Sequence, residues 1–262
     1  MNGAGNDFVM LDNRDRRIVL TDSQIARLCD RHRGIGADGL LMVEPAEGNA
    51  DWRMRYYNAD GAEVEMCGNG ARCFARFAHR IAQSAANTVS FETPAGLISA
   101  DLAGDSVSLA MSAPGPLAEG VELDAAGEKL VVYSINTGVP HAVVLVDDIE
   151  DVDLKKLGPA LRHHHHFQPR GTNANFVRQL GPQDLAIRTY ERGVEDETLA
   201  CGTGVVASAL TVAVLAGAES PIRVRVRGGD TLVVAFRRNA DGFSDVVLTG
   251  PADFVFEGDI AV

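Results

Sequence analysis

Two glycine-rich cysteine motifs, Met66-Cys67-Gly68-Asn69-Gly70 and Ala200-Cys201-Gly202-Thr203-Gly204, decide how this sequence of 262 residues is interpreted. Each motif is followed by a stretch that predicts a helix, and the two cysteines lie 134 positions apart. A cysteine just before a helix faces unpaired backbone N–H groups and the positive end of the helix dipole, which favour thiolate over thiol. The same N–H groups can bind a carboxylate. Two such motifs facing one bound acid would form a two-base racemase or epimerase.

An internal repeat extends well beyond the cysteines. An Arg-x-Tyr element precedes each motif, at Arg55-Tyr56-Tyr57 and at Arg188-Thr189-Tyr190, and further matches occur in the same order. One of these matches sets His141 opposite Asn6-Asp7. The pattern predicts an α+β fold of two pseudo-symmetric domains, residues 1–115 and 116–262. We expect each domain to wrap a mostly antiparallel sheet around one central helix, with the active site in a cleft between the domains.

Composition narrows the class of protein. The formal charge of −12 argues against nucleic acid as a partner, and no apolar run has the length of a membrane helix. The first residues do not predict a signal peptide, and four cysteines fit a reducing compartment, so we expect a cytoplasmic protein. A small amino-acid substrate remains compatible with the negative charge because its recognition is local.

The sequence predicts neither a cofactor nor a metal. Its three lysines, Lys129, Lys155 and Lys156, lie outside any glycine-rich context, which disfavours a pyridoxal Schiff base. No Cys-x-x-Cys occurs, and Cys29 and Cys73 are predicted core residues of helices. Four adjacent histidines, His163–His166, cannot all converge on one ion, so we interpret them as a solvated helix end or loop.

Cys67 and Cys201 could have a purely structural role, because a free cysteine is usually a small buried apolar residue. Their matched motifs at matched helix starts favour catalysis instead. Glycines after each cysteine let a ligand approach the backbone, and Thr203 adds a hydroxyl. His141 and Glu191 could each tune one thiol, although a lone histidine or glutamate is more often only a satisfied polar residue.

Taken together, the motifs resemble those of the diaminopimelate epimerases over nearly the whole chain. The matching segments are Gly5-Asn6-Asp7-Phe8, Arg33-Gly34-Ile35-Gly36-Ala37-Asp38-Gly39, Asn58-Ala59-Asp60-Gly61, Met66-Cys67-Gly68-Asn69-Gly70-Ala71-Arg72-Cys73, Pro140-His141, Tyr190-Glu191-Arg192-Gly193 and Glu197-Thr198-Leu199-Ala200-Cys201-Gly202-Thr203-Gly204.

The resemblance implies a pyridoxal-independent homodimer that interconverts LL- and meso-2,6-diaminoheptanedioate for lysine and cell-wall precursor synthesis. It implies that Cys67 and Cys201 are the two bases, with His141 and Glu191 beside them. The implied substrate-binding residues are Asn6, Asn58, Gly68, Asn69, Asn173, Glu191, Arg192, Gly202 and Thr203. Two positions depart from the family pattern, since Val139 replaces an asparagine and Gly39 a glutamine.

Two alternatives stay open. The first is a proline or hydroxyproline racemase, another two-thiol enzyme, but that family usually has histidine at the position of Asn69. The second is a non-epimerising isomerase of the phenazine type, or a small-acid binding protein, on the same duplicated fold. Neither of those would need both thiols.

Overall fold

The computed structural model describes residues 1–240 and 242–261, which form two compact units. The first unit comprises Met1–Ala110 and the residues from Thr249 onward, and the second comprises Met111–Leu248. The sequence prediction sets a single boundary at 115/116. The C-terminal residues group with the first unit because Asn2 and Asp253 exchange two backbone hydrogen bonds, of 2.8 and 2.7 Å.

The first unit surrounds one long helix with strands. Its elements are β1 (Asn2–Gly3), β2 (Asn6–Asp12), α1 (Asp22–Cys29), β3 (Gly39–Pro45), β4 (Trp52–Asn58), β5 (Glu63–Val64), α2 (Gly68–Ala82), β6 (Thr88–Thr93), β7 (Gly96–Ala103) and β8 (Ser106–Ala110). Strand β2 runs parallel to β3 and β4 runs parallel to β6, whereas β3–β4, β4–β5, β6–β7 and β7–β8 are antiparallel pairs.

The second unit contains β9 (Val121–Ala125), β10 (Glu128–Asn136), β11 (Pro140–Leu145), α3 (Leu154–Arg162), a 3₁₀ turn (His165–Phe167), β12 (Asn173–Gly181), β13 (Asp184–Glu191), β14 (Asp196–Thr198), α4 (Gly202–Leu215), β15 (Ile222–Arg225), β16 (Thr231–Asn239) and most of β17 (Gly242–Pro251). Strand β11 runs parallel to β12 and β13 parallel to β15, and the pairs β12–β13, β13–β14 and β15–β16 are antiparallel. The pairing order therefore repeats that of the first unit and confirms the predicted mostly antiparallel α+β repeat.

Strand pairing corrects one alignment within the internal repeat. Val9, Leu40 and Tyr57 form one row of the first unit, and the equivalent row of the second is Ala142, Ala174 and Tyr190. One residue earlier, Phe8 pairs with Gly39, and His141 pairs with Asn173. The alignment of His141 with Asn6-Asp7 was therefore wrong, because sequence similarity in this strand is too weak to fix a register to one residue.

Both central helices are buried as their sequences require. Helix α4 is apolar on all faces, and every residue from Val205 to Ala213 is buried. Helix α2 is amphipathic and buries Cys73 and Phe74 completely, with the Phe74 ring centroid 4.7 Å from that of Phe91. Cys29 is buried in α1, so the prediction that Cys29 and Cys73 are core residues is confirmed.

Candidate active site

Each motif cysteine is the N-cap residue of its central helix. Cys67 has φ −138° and ψ 125°, and Cys201 has φ −123° and ψ 105°, both extended rather than helical. The first intrahelical bonds run from Ala71 N to Cys67 O at 2.7 Å and from Val205 N to Cys201 O at 2.9 Å. Amides earlier in each first turn have no intrahelical acceptor, so each cysteine borders a set of helix-end N–H donors.

A bidentate ion pair holds the strand that leads into each cysteine. Arg55 donates to Glu63 at 2.8 and 2.7 Å, and Arg188 donates to Glu197 at 2.7 and 3.0 Å. The sequence identified the arginines as part of the repeat but did not identify their partners. Each glutamate lies four positions before its cysteine, and this shared spacing is the signal that could have found it.

Four polar side chains of the first unit form a directed chain of hydrogen bonds. Asn6 Nδ2 donates to Asp38 Oδ2 at 2.6 Å, Asn69 Nδ2 to Asn6 Oδ1 at 2.8 Å, and Arg72 to Asn69 Oδ1 at 2.9 Å. A carboxylate only accepts and a guanidinium only donates, so the two ends fix the orientation of both amides. The structure thus brings predicted residues Asn6 and Asn69 together and adds Asp38 and Arg72, which were not predicted as site residues.

The space around Gly39 and around Gly68 determines what each of these first-unit positions can accommodate. Asn58 ends β4, half-buried, and pairs with Gly39. A Cβ at Gly39 would lie 2.6 Å from Tyr57 O and 2.8 Å from Tyr56 Cε2, so the family glutamine has no room there. A Cβ at Gly68 would meet no atom within 4 Å, so the first turn of α2 is open on that side.

Glu191 contacts the cysteine of its own unit. Its carboxylate accepts a hydrogen bond from Thr198 Oγ1 at 2.9 Å and another from the Cys201 thiol. Burial raises the pKa of the Glu191 carboxyl above its ordinary value, and those two hydrogen bonds oppose the rise. Cys201 Sγ also lies 3.6 Å from Thr203 Oγ1. Glu191 and the Cys201 side chain therefore interact directly within the second unit.

Asn173 lies beside Arg192 in the same unit. The backbone N–H of Arg192 donates to Asn173 Oδ1 at 2.7 Å, and Asn173 Nδ2 donates to Pro140 O at 3.4 Å. The Arg192 guanidinium donates to Arg170 O at 3.3 Å. Asn173 is therefore held with its carbonyl toward Arg192.

Buried polar side chains contact the first turn of α4. Gly202 is buried at its start, and Thr137 Oγ1 donates to Thr203 O at 2.9 Å. A Cβ at Gly204 would lie 2.4 Å from Asn175 Oδ1, so only glycine fits there without movement. Neither Thr137 nor Asn175 was predicted as a site residue, because a buried polar residue has no distinctive sequence signal.

His141 is buried and electrically neutral. Its side chain is 1% exposed, Nδ1 lies 3.1 Å from Asn175 Nδ2, and Nε2 has no hydrogen-bond partner among the described residues. Burial lowers the pKa of His141 to about 3, and the positive charge of Arg192 acts in the same direction.

The four adjacent histidines lie at the end of helix α3. Helix α3 ends at Arg162, and the run passes into the short 3₁₀ turn with three of its side chains exposed, which confirms the predicted helix end or loop. In residues 1–240 and 242–261, no three His, Cys, Asp or Glu side chains are arranged to hold a metal ion. No helix in the same residues is long and apolar enough to span a bilayer.

Comparison with known proteins decides the family. The family model for diaminopimelate epimerase matches residues 1–114 and 133–255, which include both motif cysteines. The chain belongs to the diaminopimelate epimerase family. The diaminopimelate epimerase of Aquifex aeolicus is 42% identical over 271 residues, covering 98% of this chain and 95% of that protein. The diaminopimelate epimerase of Chlorobaculum tepidum is 42% identical over 265 residues, covering 100% of both chains.

Solved structures support the same family fold. A phenazine biosynthesis protein of the PhzF family from Bacillus anthracis has a TM-score of 0.74 at 17% identity, covering 100% of this chain and 95% of that one. A hydroxyproline epimerase from Agrobacterium vitis, solved with bound trans-4-hydroxy-L-proline, has a TM-score of 0.63 at 17% identity, covering 87% and 77%. At this level of identity, these likenesses establish the fold alone.

Proposed function

We propose that this chain is a diaminopimelate epimerase that interconverts LL- and meso-2,6-diaminoheptanedioate without a cofactor. The observation that carries the proposal is the matched pair of N-cap cysteines, Cys67 and Cys201, in a chain that belongs to this family over nearly its whole length. The activity would serve lysine and cell-wall precursor synthesis in the cytoplasm, and we expect a homodimer, to be tested by light scattering.

The chemistry needs two bases because one group cannot readily reach both faces of the α-carbon. One thiolate removes the α-proton, and the other thiol donates a proton to the opposite face. Negative charge develops on the substrate carboxylate, where the first-turn amides of α2 and α4 act as oxyanion-hole donors.

Substrate binding follows from the remaining groups. Asn6 and Asn69 present amides whose orientation is fixed by the chain from Asp38 to Arg72. Arg192 suits the distal carboxylate because a guanidinium can make two parallel hydrogen bonds to it. Asn58, Asn173, Gly68, Gly202 and Thr203 complete the proposed set, and Glu191 supplies acceptor oxygens for an ammonium group.

The test is stereochemically resolved exchange of the α-proton in deuterated water. Wild-type protein should exchange and epimerise both LL- and meso-substrate, and should leave proline unchanged. Cys67→Ala and Cys201→Ala should each lose epimerisation by at least about 10³-fold, within the range that a positioned acid–base group contributes.

The two variants should also differ in a complementary way, since each retains the base for one face only. One variant should exchange the α-proton of an L-configured α-carbon, and the other should exchange the α-proton of a D-configured α-carbon. Normal turnover by either variant would contradict the two-base mechanism, and exchange of proline instead of diaminopimelate would favour the racemase alternative.

A further inference from the structure

Asn175 is a buried amide that neither the sequence motifs nor the proposed mechanism uses. It lies in β12, is 0% exposed, and makes hydrogen bonds with three groups of the second unit. Nδ2 donates to Ala142 O at 2.9 Å and lies 3.1 Å from His141 Nδ1, while Oδ1 accepts from Thr189 Oγ1 at 3.0 Å. All of its polar atoms are therefore engaged within the protein.

The backbone carbonyl of Ala142 fixes which way this amide faces. A carbonyl oxygen can only accept, so the atom of Asn175 that faces it must be the nitrogen. That nitrogen carries two hydrogens, one directed to Ala142 O and the other to His141 Nδ1. The reversed amide would set two oxygens against each other at 2.9 Å in a site without solvent, which is strongly unfavourable.

The amide orientation determines the protonation of the imidazole. Because Asn175 donates to Nδ1, this nitrogen of His141 must offer a lone pair, and in a neutral ring the proton is then on Nε2. The result is a buried Nε2–H with no acceptor among the described residues. A donor left unsatisfied inside a protein is unfavourable, and such exceptions are typical of sites that bind a ligand or act in catalysis.

We propose that Asn175 holds His141 as the Nε2–H tautomer, so that in the epimerase His141 acts as a neutral hydrogen-bond donor to an anionic group rather than as a proton acceptor. The second half of this inference rests on the proposed function, whereas the tautomer itself does not. Asn175 is a positioning residue in this scheme, because it acts through the imidazole.

Asn175 also packs against the first turn of α4, which follows Cys201. A Cβ at Gly204 would lie 2.4 Å from Asn175 Oδ1 and 3.4 Å from Cys201 Sγ, so the first turn of α4 packs directly on Asn175. One buried residue thus sets the imidazole tautomer and contacts the turn that carries Cys201.

The experiment is proton–nitrogen NMR of the full-length protein with ¹⁵N-labelled histidine, which distinguishes protonated from unprotonated ring nitrogens. Signals of His141 are identified by their loss in His141→Gln. We expect a protonated Nε2 and an unprotonated Nδ1 in the resting wild-type protein. A protonated Nδ1 in the wild type would overturn the inference without any variant.

Two variants then test whether Asn175 is responsible. Asn175→Asp replaces the donor with a carboxylate, which should attract a proton to Nδ1, and kcat should fall about tenfold, the worth of one hydrogen bond, with KM changed less. Thr189→Val is the matched control, because it removes a buried hydroxyl from the same amide but leaves Ala142 O to orient it. It should keep the Nε2–H signal.

If Asn175→Asp does not fold, Asn175→Ala replaces it and should give a mixture of the two tautomers. An unchanged Nε2–H signal in the substituted protein would overturn the role of Asn175. Wild-type protein that has the Nε2–H signal but does not epimerise diaminopimelate would support the tautomer and reject the proposed function, so the two failures are distinguishable.

Discussion

The two units share a backbone plan but differ in the side chains at several corresponding positions of their strands. In both, the arginine of an Arg-x-Tyr strand pairs with a glutamate four residues before the N-cap cysteine. By strand register, however, Phe8 of the first unit corresponds to His141 of the second. By the same register, Asn58 corresponds to Glu191. The duplication therefore kept the ion-paired strand before each cysteine, whereas the titratable residues His141 and Glu191 of the second unit correspond to Phe8 and Asn58 of the first.

The largest expected difference between the units concerns their ion pairs. Arg188 is 11% exposed and also donates to Ile149 O and Val152 O, whereas Arg55 is 33% exposed. Arg188→Met should lower the free energy of unfolding by about 2–3 kcal/mol, because Ile149 O and Val152 O lose their donor and Glu197 keeps only Arg227, at 3.6 Å. Arg55→Met should lower it by only about 1 kcal/mol. Urea denaturation checks this, and equal losses would mean that the two pairs are energetically equivalent.

The second-largest expected difference between the units is in how their titratable groups make stability depend on pH. Burial lowers the pKa of His141 from its ordinary value of about 6.5 in the unfolded chain to about 3 in the folded protein. Between these values the unfolded state binds more protons, so the folded protein loses stability as the pH falls. The contribution of one such group is about 2 kcal/mol between about pH 6 and pH 4.

His141→Gln cannot ionise and should lose that part of the pH slope, measured by urea denaturation at several pH values. The slope, not the absolute stability, is the relevant quantity, because the substitution also changes packing. A slope identical to that of the wild type would show that His141 titrates normally in the folded protein.

Replacing a glycine by alanine should affect stability differently in the first turn of α2 and in the first turn of α4. Gly204→Ala introduces a Cβ 2.4 Å from Asn175 Oδ1, and overpacking of this kind should lower the free energy of unfolding by about 1–2 kcal/mol. Gly68→Ala introduces a Cβ into open space and should change stability by less than about 0.5 kcal/mol.

Gly68→Ala also reports on ligand approach, because its stability is expected to be unchanged. If the substrate carboxylate binds against the first turn of α2, KM should rise by roughly tenfold, equivalent to about 1.4 kcal/mol. Wild-type KM in this variant would exclude a carboxylate close to Gly68.

The smallest expected effect concerns how the two units orient their amides. In the second unit a backbone carbonyl orients Asn175, whereas in the first unit the side chain of Asp38 orients Asn6. Asp38→Asn can present either oxygen or nitrogen, so KM should rise only about threefold, less than one full hydrogen bond is worth. Arg31→Gln is the control: it removes the ion pairs to Asp38 and Asp7 but keeps the Asp38 carboxylate, so KM should stay within about twofold. A larger effect of Arg31→Gln would assign the role to the ion pairs of Arg31.

Much of the fold was predictable because it depends on local pattern. Helix α1 begins with a capping box formed by Thr21 and Gln24, which lie three positions apart, and the uniformly apolar sequence of α4 predicts its burial. The strands β9 and β10 were not predicted, although Leu130-Val131-Val132-Tyr133 of β10 is a run of β-branched and aromatic residues typical of a strand. The prediction followed the internal repeat, and no repeat match covers this stretch. In the structure β10 pairs with both β9 and β11.

The sequence by itself determined the duplication, the two N-cap cysteines and the family, because glycine and cysteine spacing is constrained residue by residue. Only the tertiary structure decided that His141 matches Phe8, that Asp38 and Arg72 orient two amides, and that Asn175 faces the imidazole. These facts depend on strand register and on buried hydrogen bonds between residues far apart in the chain. Donor and acceptor roles at such sites are set by what lies within about 3 Å in space, which neighbours in sequence do not reveal.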